Sequence, residues 1–148
     1  MSLLITLKDA QKDAMRAKDK LRLNPIRMVL AAIKQREIDE RITLDDAGIT
    51  SVIVKLVKQR RDSYTQYKDA GRDDLADIEA NEIVALETFL PQKLSEEEII
   101  ALIDAAIADT NAAGMQDMGK VMGIIKSKAE GRADMGKISG LIKQRLTA

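Results

Sequence analysis

Two short glycine–lysine segments near the carboxyl end have the residue types and spacing best suited to binding chemistry. Residues 119–123 read Gly-Lys-Val-Met-Gly and residues 136–140 read Gly-Lys-Ile-Ser-Gly, each closely preceded by an aspartate. Each segment opens a predicted helix, in which a spacing of four places both glycines on one face. Glycine inside a helix costs about 1 kcal/mol relative to alanine. These four positions therefore need an explanation.

Three explanations for the glycines stay open at the level of sequence. The missing Cβ can allow close contact between the last two helices, or it can allow the backbone to approach a ligand such as a phosphodiester. Internal duplication without function is the third. Lys120 and Lys137 lie in the first turns of their predicted helices. Exposed amide groups together with positive side chains at a helix start suit an anion.

Basic residues are frequent in the same C-terminal segment, and they are the candidate contacts for a polyanion. The candidates are Lys120, Lys126, Lys128, Arg132, Lys137, Lys143 and Arg145. A second basic set lies in the N-terminal part, where Arg27, Lys34 and Arg41 recur every seven residues and are followed by Lys55, Lys58, Arg60 and Arg61.

The aromatic content limits the kind of nucleic acid that such residues could bind. Only Tyr64, Tyr67 and Phe89 are aromatic, and modules that bind single-stranded RNA by stacking need more. The two tyrosines lie three residues apart, which favours packing at the edge of a core. If the chain binds nucleic acid, phosphate contacts and shape favour a folded RNA such as tRNA.

Most catalytic chemistry is excluded or unsupported by the composition. The chain has neither His nor Cys, which rules out Ser-His-Asp and thiol catalysis, zinc–thiolate sites and disulfides. A Walker-type phosphate loop is lacking. The acidic pairs Asp45-Asp46 and Asp73-Asp74 occur at helix starts, where capping explains them. We therefore predict no catalytic residue, no metal site and no cofactor.

The formal net charge of zero hides a strong segregation of charge along the 148 residues. Residues 1–72 contain 16 basic and 10 acidic residues, which gives +6. Residues 73–110 contain one basic and 11 acidic residues, which gives −10, and residues 111–148 contain seven and three, which gives +4. Overall neutrality is therefore no argument against a polyanionic partner.

Apolar residues recur at intervals of three or four throughout, which predicts an all-α fold. The pattern predicts an N-terminal lobe of long helices over residues 1–90 and a small C-terminal lobe of three short helices over residues 96–148, joined by a linker at 91–95. Because no signal peptide or membrane span is recognisable, we expect a cytoplasmic protein without a membrane partner.

Several helix boundaries can be predicted from capping residues. The first helix is expected over about 3–19, and Asn24-Pro25 should start the second, since proline suits a first helical position. The alternative is one helix that begins near Lys20 and is kinked at Pro25. Gly71 should terminate the third helix, Asp73 or Asp74 should cap the fourth, and Pro91 should end it.

Boundaries in the C-terminal lobe are predicted in the same way. Ser95 to Glu98 has the form of a capping box. Asp117 and Asp134 can cap the two helices that contain the glycine–lysine segments.

Five segments in order resemble one known family over essentially the whole chain. They are residues 30–38 (Leu-Ala-Ala-Ile-Lys-Gln-Arg-Glu-Ile), 58–63 (Lys-Gln-Arg-Arg-Asp-Ser), 87–99 (Glu-Thr-Phe-Leu-Pro-Gln-Lys-Leu-Ser-Glu-Glu-Glu-Ile), 115–123 and 131–137. Together they look like the YqeY family. The C-terminal lobe is similar to the tail domain of GatB, a subunit of the glutamine-dependent tRNA amidotransferase.

The resemblance implies a tRNA-associated accessory protein, with Lys120, Lys126, Lys128, Arg132 and Lys137 as candidate RNA contacts. Lys143 and Arg145 are added on charge alone. Two alternatives remain: an adapter for amidotransferase subunits or an aminoacyl-tRNA synthetase, and a carbon–nitrogen ligase that uses glutamine as amide donor. The ligase alternative derives from the resemblance only, since nothing in the chain corresponds to the amidotransferase's catalytic centres.

Overall fold

Seven α-helices form the fold in a computed structural model that describes residues 2–147. Their bounds are α1 Leu3–Arg16, α2 Lys20–Glu40, α3 Asp46–Asp69, α4 Asp73–Glu87, α5 Glu96–Thr110, α6 Met118–Ala129 and α7 Met135–Thr147, with a short 3₁₀ turn at Met115–Asp117 before α6. No strand occurs among the described residues. The predicted all-α class is confirmed. Within this part of the chain, no helix is both long and apolar enough to cross a membrane.

The described chain forms two compact units that divide between Leu90 and Pro91. The N-terminal unit contains α1 to α4, and its core includes Leu7, Val29, Ile53 and Leu86, all fully shielded from solvent. Helix α3 packs mainly against α4, while α2 contacts α1, α3 and α4. This unit is therefore built around long helices that share one aliphatic core.

The C-terminal unit has a separate aliphatic core. Ile103 of α5, Val121 and Ile125 of α6, and Ile138 and Ile142 of α7 are almost fully buried and form one cluster. Helix α6 packs against both α5 and α7. Because the buried residues of α6 and α7 recur at intervals of four, each helix turns one narrow apolar stripe inward.

Two of the predicted boundaries at the start of the chain are wrong. Helix α1 ends at Arg16, and Lys18 adopts a left-handed conformation with a φ of 54°. Helix α2 begins at Lys20 because the Asp19 side chain accepts a hydrogen bond from the Arg22 amide at 3.2 Å. The alternative start near Lys20 is therefore the observed one. Pro25 lies inside the helix, where it is buried.

The capping predictions for α3 and α5 are confirmed, whereas the one for α4 is wrong. Gly71 follows α3 with a φ of 71°, and the Ser95 capping box at α5 is complete, so both are confirmed. Neither Asp73 nor Asp74 caps α4, whose N-cap residue is Arg72. Asp74 instead forms an ion pair with Arg72, which lowers the pKa of the Asp74 carboxyl below its ordinary value.

Candidate nucleic-acid interface

The glycines of α6 lie on its solvent face. Gly119 and Gly123 are exposed, and a Cβ built on either one would meet no atom within 4 Å. Their position follows from the inward stripe of Val121, Ile125 and Ala129, which occupies the opposite side of a helix with 3.6 residues per turn. The α6 backbone is therefore accessible from solvent over about one turn.

Helix α7 repeats this arrangement seventeen residues further along the chain. Gly136 and Gly140 are exposed opposite the buried residues Ile138 and Ile142. A Cβ on Gly140 would meet no atom within 4 Å, while one on Gly136 would lie 3.2 Å from Oδ1 of Asp134. The two glycine pairs therefore occupy equivalent positions on two separate helices.

The structure excludes one of the three explanations for the glycines. Close contact between the last two helices would place neighbouring atoms beside Gly119, Gly123 and Gly140, but the space there is open. Helices α6 and α7 do pack together, through the isoleucines and Val121 on their inward sides. Glycine-mediated helix contact is therefore the explanation that the structure excludes, because the glycines face away from the contact.

Four lysines accompany these glycines on the outer sides of the helices. Lys120 and Lys126 lie three residues from Gly123, before and after it, and Lys137 and Lys143 have the same relation to Gly140. All four side chains are exposed. We call the two sets the glycine–lysine faces: Gly119, Lys120, Gly123 and Lys126 of α6, and Gly136, Lys137, Gly140 and Lys143 of α7.

The charge on these faces is not neutralised by neighbouring acids. Within residues 2–147, none of the four lysines takes part in an ion pair. Each face therefore combines an open stretch of backbone with a lysine on either side. This combination suits an extended polyanion, because phosphate groups can approach closely and still meet positive charge.

The starts of α6 and α7 differ in how available their amide groups are to an anion. At α7 the Gly136 amide donates a hydrogen bond to Oδ1 of Asp134 at 2.8 Å, which confirms Asp134 as a cap. At α6, Asp117 makes no cap hydrogen bond; its Oδ2 accepts from the Ala113 amide at 2.9 Å. The Gly136 amide is therefore already hydrogen-bonded, and the four exposed lysine side chains remain candidate anion-binding groups.

Of the remaining three candidates, Arg132 and Arg145 have partners within the C-terminal unit. Arg132 donates from Nε to the Gln92 carbonyl at 2.9 Å, and its own carbonyl accepts from the Leu94 amide at 2.8 Å. Arg145 forms an ion pair with Asp104 of α5. Lys128 and Arg132 line an open groove of about 540 Å³ together with Leu94, Glu98, Ala101 and Leu102. These three residues lie apart from the glycine–lysine faces.

One basic residue of the N-terminal unit is buried, although no local sequence pattern indicates it. The Arg60 side chain is only 8% exposed, and its Nε donates to Oε2 of Glu82 at 2.8 Å. Its other nitrogens contact the Leu56 carbonyl and the Met28 sulfur. Arg60 is therefore a structural residue, because its buried guanidinium joins α2, α3 and α4 through partly buried contacts.

Other charged groups near Arg60 also interact with their neighbours. Arg61 pairs with Glu87. Burial, reinforced by repulsion from Glu82, raises the pKa of the Glu79 carboxyl, although Arg60 opposes this effect. Within residues 2–147, no group of three acidic side chains is placed to hold a metal ion.

Comparison with known proteins gives the chain a family. The family model described as Yqey-like protein matches residues 5–146. A protein named "Altered inheritance of mitochondria protein 41, mitochondrial" from Kluyveromyces lactis is 41% identical over 110 residues, which cover 72% of this chain and 59% of that protein. Its namesake from Pyrenophora tritici-repentis is 31% identical over 118 residues, covering 78% and 65%.

These relatives are longer than the matched region. In the namesake from Eremothecium gossypii, 39% identity over 105 residues covers 69% of this chain and 57% of the relative. The chain therefore spans little more than half the length of the fungal relatives, whose names place them in mitochondria. Since the family model covers nearly every residue, the chain belongs to the YqeY family.

Proposed function

We propose that the chain is a tRNA-binding accessory protein whose C-terminal unit contacts the phosphate backbone through the glycine–lysine faces. The observation that carries the proposal is the repeated combination of open glycine backbone and exposed, unpaired lysines on α6 and α7. A ribose–phosphate strand could lie against each helix where a Cβ would otherwise hold it away. The flanking lysines would then neutralise adjacent phosphates.

A folded RNA suits these faces better than a single strand. Stacking platforms for unpaired bases need aromatic side chains, and the C-terminal unit contains none. Phosphate contacts alone distinguish RNAs by the spacing of their strands in three dimensions. The similarity of this lobe to the tail of GatB points to tRNA as the folded RNA, and to tRNA amidation as the process that the protein serves.

Docking on an amidotransferase or synthetase partner through the same lobe is less well supported. That alternative needs adaptable apolar side chains at the surface. Met115 is exposed, but Met118, Met122 and Met135 pack against the core of the C-terminal unit. The glycine–lysine faces themselves offer backbone and charge, which suit a nucleic acid better than an apolar protein surface.

The test measures the binding of unmodified tRNA by fluorescence anisotropy at several salt concentrations. Four lysine–phosphate contacts predict a slope of log K against log salt of about −3. Replacement of Lys120, Lys126, Lys137 and Lys143 by Glu should lower the affinity at least 100-fold and flatten this slope. A single-stranded RNA of equal length should bind at least tenfold more weakly than tRNA.

The matched control changes the same amount of charge elsewhere. Lys8, Lys12, Lys55 and Lys58 are exposed lysines of α1 and α3, and their replacement by Glu gives the same net charge as the first variant. This control should retain most of the affinity. Equal losses in both variants would show that only net charge matters, and would contradict the assignment of the faces.

A further inference from the structure

Helix α2 is apolar on two opposite sides. One side supplies Ile26, Val29 and Ile33 to the buried core of the N-terminal unit. On the other side Leu21, Met28 and Ile38 are 59%, 43% and 62% exposed. The contacts of α2 with α1, α3 and α4 therefore leave much of a second apolar surface exposed, although the Met28 sulfur contacts Arg60 of α3.

The exposed residues follow the spacing of a coiled-coil seam. Leu21, Asn24, Met28, Ala31, Gln35 and Ile38 alternate intervals of three and four, and all six are exposed. We call this set the α2 seam. Such a period of 3.5 residues is the pattern by which one helix packs along another. A polar residue at one seam position can specify the register of a partner helix, and Asn24 and Gln35 are the polar residues of this seam.

A row of basic residues runs along one edge of the α2 seam. Lys20, Arg27 and Lys34 each immediately precede a seam residue, and all three are exposed. In a coiled coil these flanking positions face the flanking positions of the partner and determine which partner is accepted. Three positive charges at successive heptads therefore favour a partner helix with acidic flanks.

A second copy of this chain fits the seam poorly. In an antiparallel pair of α2 helices the two basic rows would face each other and repel. In a parallel pair they would face Pro25, Ala32 and Asp39, of which Asp39 alone offers a complementary charge. RNA is also disfavoured, because the large apolar side chains of the seam would meet phosphates without any favourable contact.

We propose that the α2 seam is a docking surface for an amphipathic helix of a partner protein, with apolar seam residues and acidic flanks. Leu21, Met28 and Ile38 would supply the apolar contacts. Lys20, Arg27 and Lys34 would pair with the acidic flanks. The α2 seam belongs to the N-terminal unit and shares no residue with the glycine–lysine faces.

The test uses the full chain and three labelled 21-residue helical peptides in fluorescence anisotropy. The first peptide has leucine at seam positions and glutamate at the flanks, the second has lysine in place of glutamate, and the third has serine in place of leucine. We expect the first to bind at least tenfold more tightly than either of the others. The Arg27→Glu/Lys34→Glu variant should reverse the preference between the first two.

Three further variants locate the binding. Leu21→Ser/Ile38→Ser should abolish it. Lys55→Glu/Lys58→Glu, which changes the net charge by the same amount as Arg27→Glu/Lys34→Glu, should leave it unchanged. Binding should also survive the replacement of Lys120, Lys126, Lys137 and Lys143 by Glu. Each variant should remain folded in circular dichroism, because only exposed residues are replaced.

Several results would overturn the proposal. Equal binding of the glutamate and lysine peptides would do so, as would binding that survives Leu21→Ser/Ile38→Ser. A dimer that sedimentation detects and that the same double variant dissolves would assign the seam to a second copy. Loss of tRNA affinity in Arg27→Glu/Lys34→Glu but not in Lys55→Glu/Lys58→Glu would assign it to RNA.

Discussion

The two units place their glycines and charges in opposite ways. In the N-terminal unit, Gly48 is the one glycine of α2 and α3, and Arg60 is buried against Glu82. In the C-terminal unit, α6 and α7 have two glycines each, all exposed, with unpaired lysines beside them. The first unit buries an ion pair between two helices, whereas the Arg145–Asp104 pair of the second unit is about half exposed. The second unit has glycines at exposed helix positions, where they lower helix propensity. This cost is consistent with a ligand that contacts the backbone there.

The largest expected effect on folding stability comes from replacing the buried Arg60 of the N-terminal unit. Arg60→Ala leaves Glu82 without its partner in a partly buried position, which should lower the free energy of unfolding by about 3 kcal/mol. Urea unfolding measures the loss. Arg60→Met combined with Glu82→Leu should recover most of the stability, because no charge is then left unpaired. A loss below about 1 kcal/mol for Arg60→Ala would show that the pair is not structural.

A smaller effect is expected at the start of α5. Ser95 accepts a hydrogen bond from the Glu98 amide at 3.1 Å, and Glu98 accepts one from the Ser95 amide at 3.4 Å. Ser95→Ala should therefore destabilise the C-terminal unit by about 1 kcal/mol. Ser95→Asp retains an acceptor and serves as the control. If both variants unfold at the same urea concentration, the cap contributes nothing specific.

The smallest expected effect concerns Glu79. Because the folded state raises the pKa of this carboxyl, the protonated form is favoured on folding. The resulting stabilisation is present at pH values below the ordinary pKa and is lost as the pH rises through the raised one. Glu79→Gln should therefore stabilise the protein at pH 7 by less than about 0.5 kcal/mol, and less still at pH 4. Thermal melts at both pH values would contradict this if the gain were larger at pH 4.

The sequence predicted local features well and features between helices poorly. Ser95 and Gly71 are recognisable because their signals lie within a few residues of the boundary they set. Asn24-Pro25 misled because Asp19, five residues earlier, caps the same helix first. The burial of Arg60 depends on Glu82, twenty-two residues away on another helix, and no local pattern indicates that pairing.

The glycines show where sequence and structure are both needed. The spacing alone revealed that four glycines share helix faces, but it was equally compatible with a contact between helices. Val121, Ile125, Ile138 and Ile142 decide the matter, because their burial turns the glycines outward. The assignment of the seven basic candidates to RNA stays a prediction, and the structure adds that four of them lie on these outward faces.

The central claim is that the exposed glycines are kept for access to the backbone. Gly119→Ala/Gly123→Ala/Gly140→Ala adds three methyl groups where a Cβ meets no atom, so folding should improve by about 2 kcal/mol in urea unfolding. The same variant should bind tRNA at least tenfold more weakly, because the methyl groups hold the phosphate backbone away from the helices. A variant that gains stability and binds tRNA as tightly as the original chain would contradict the account.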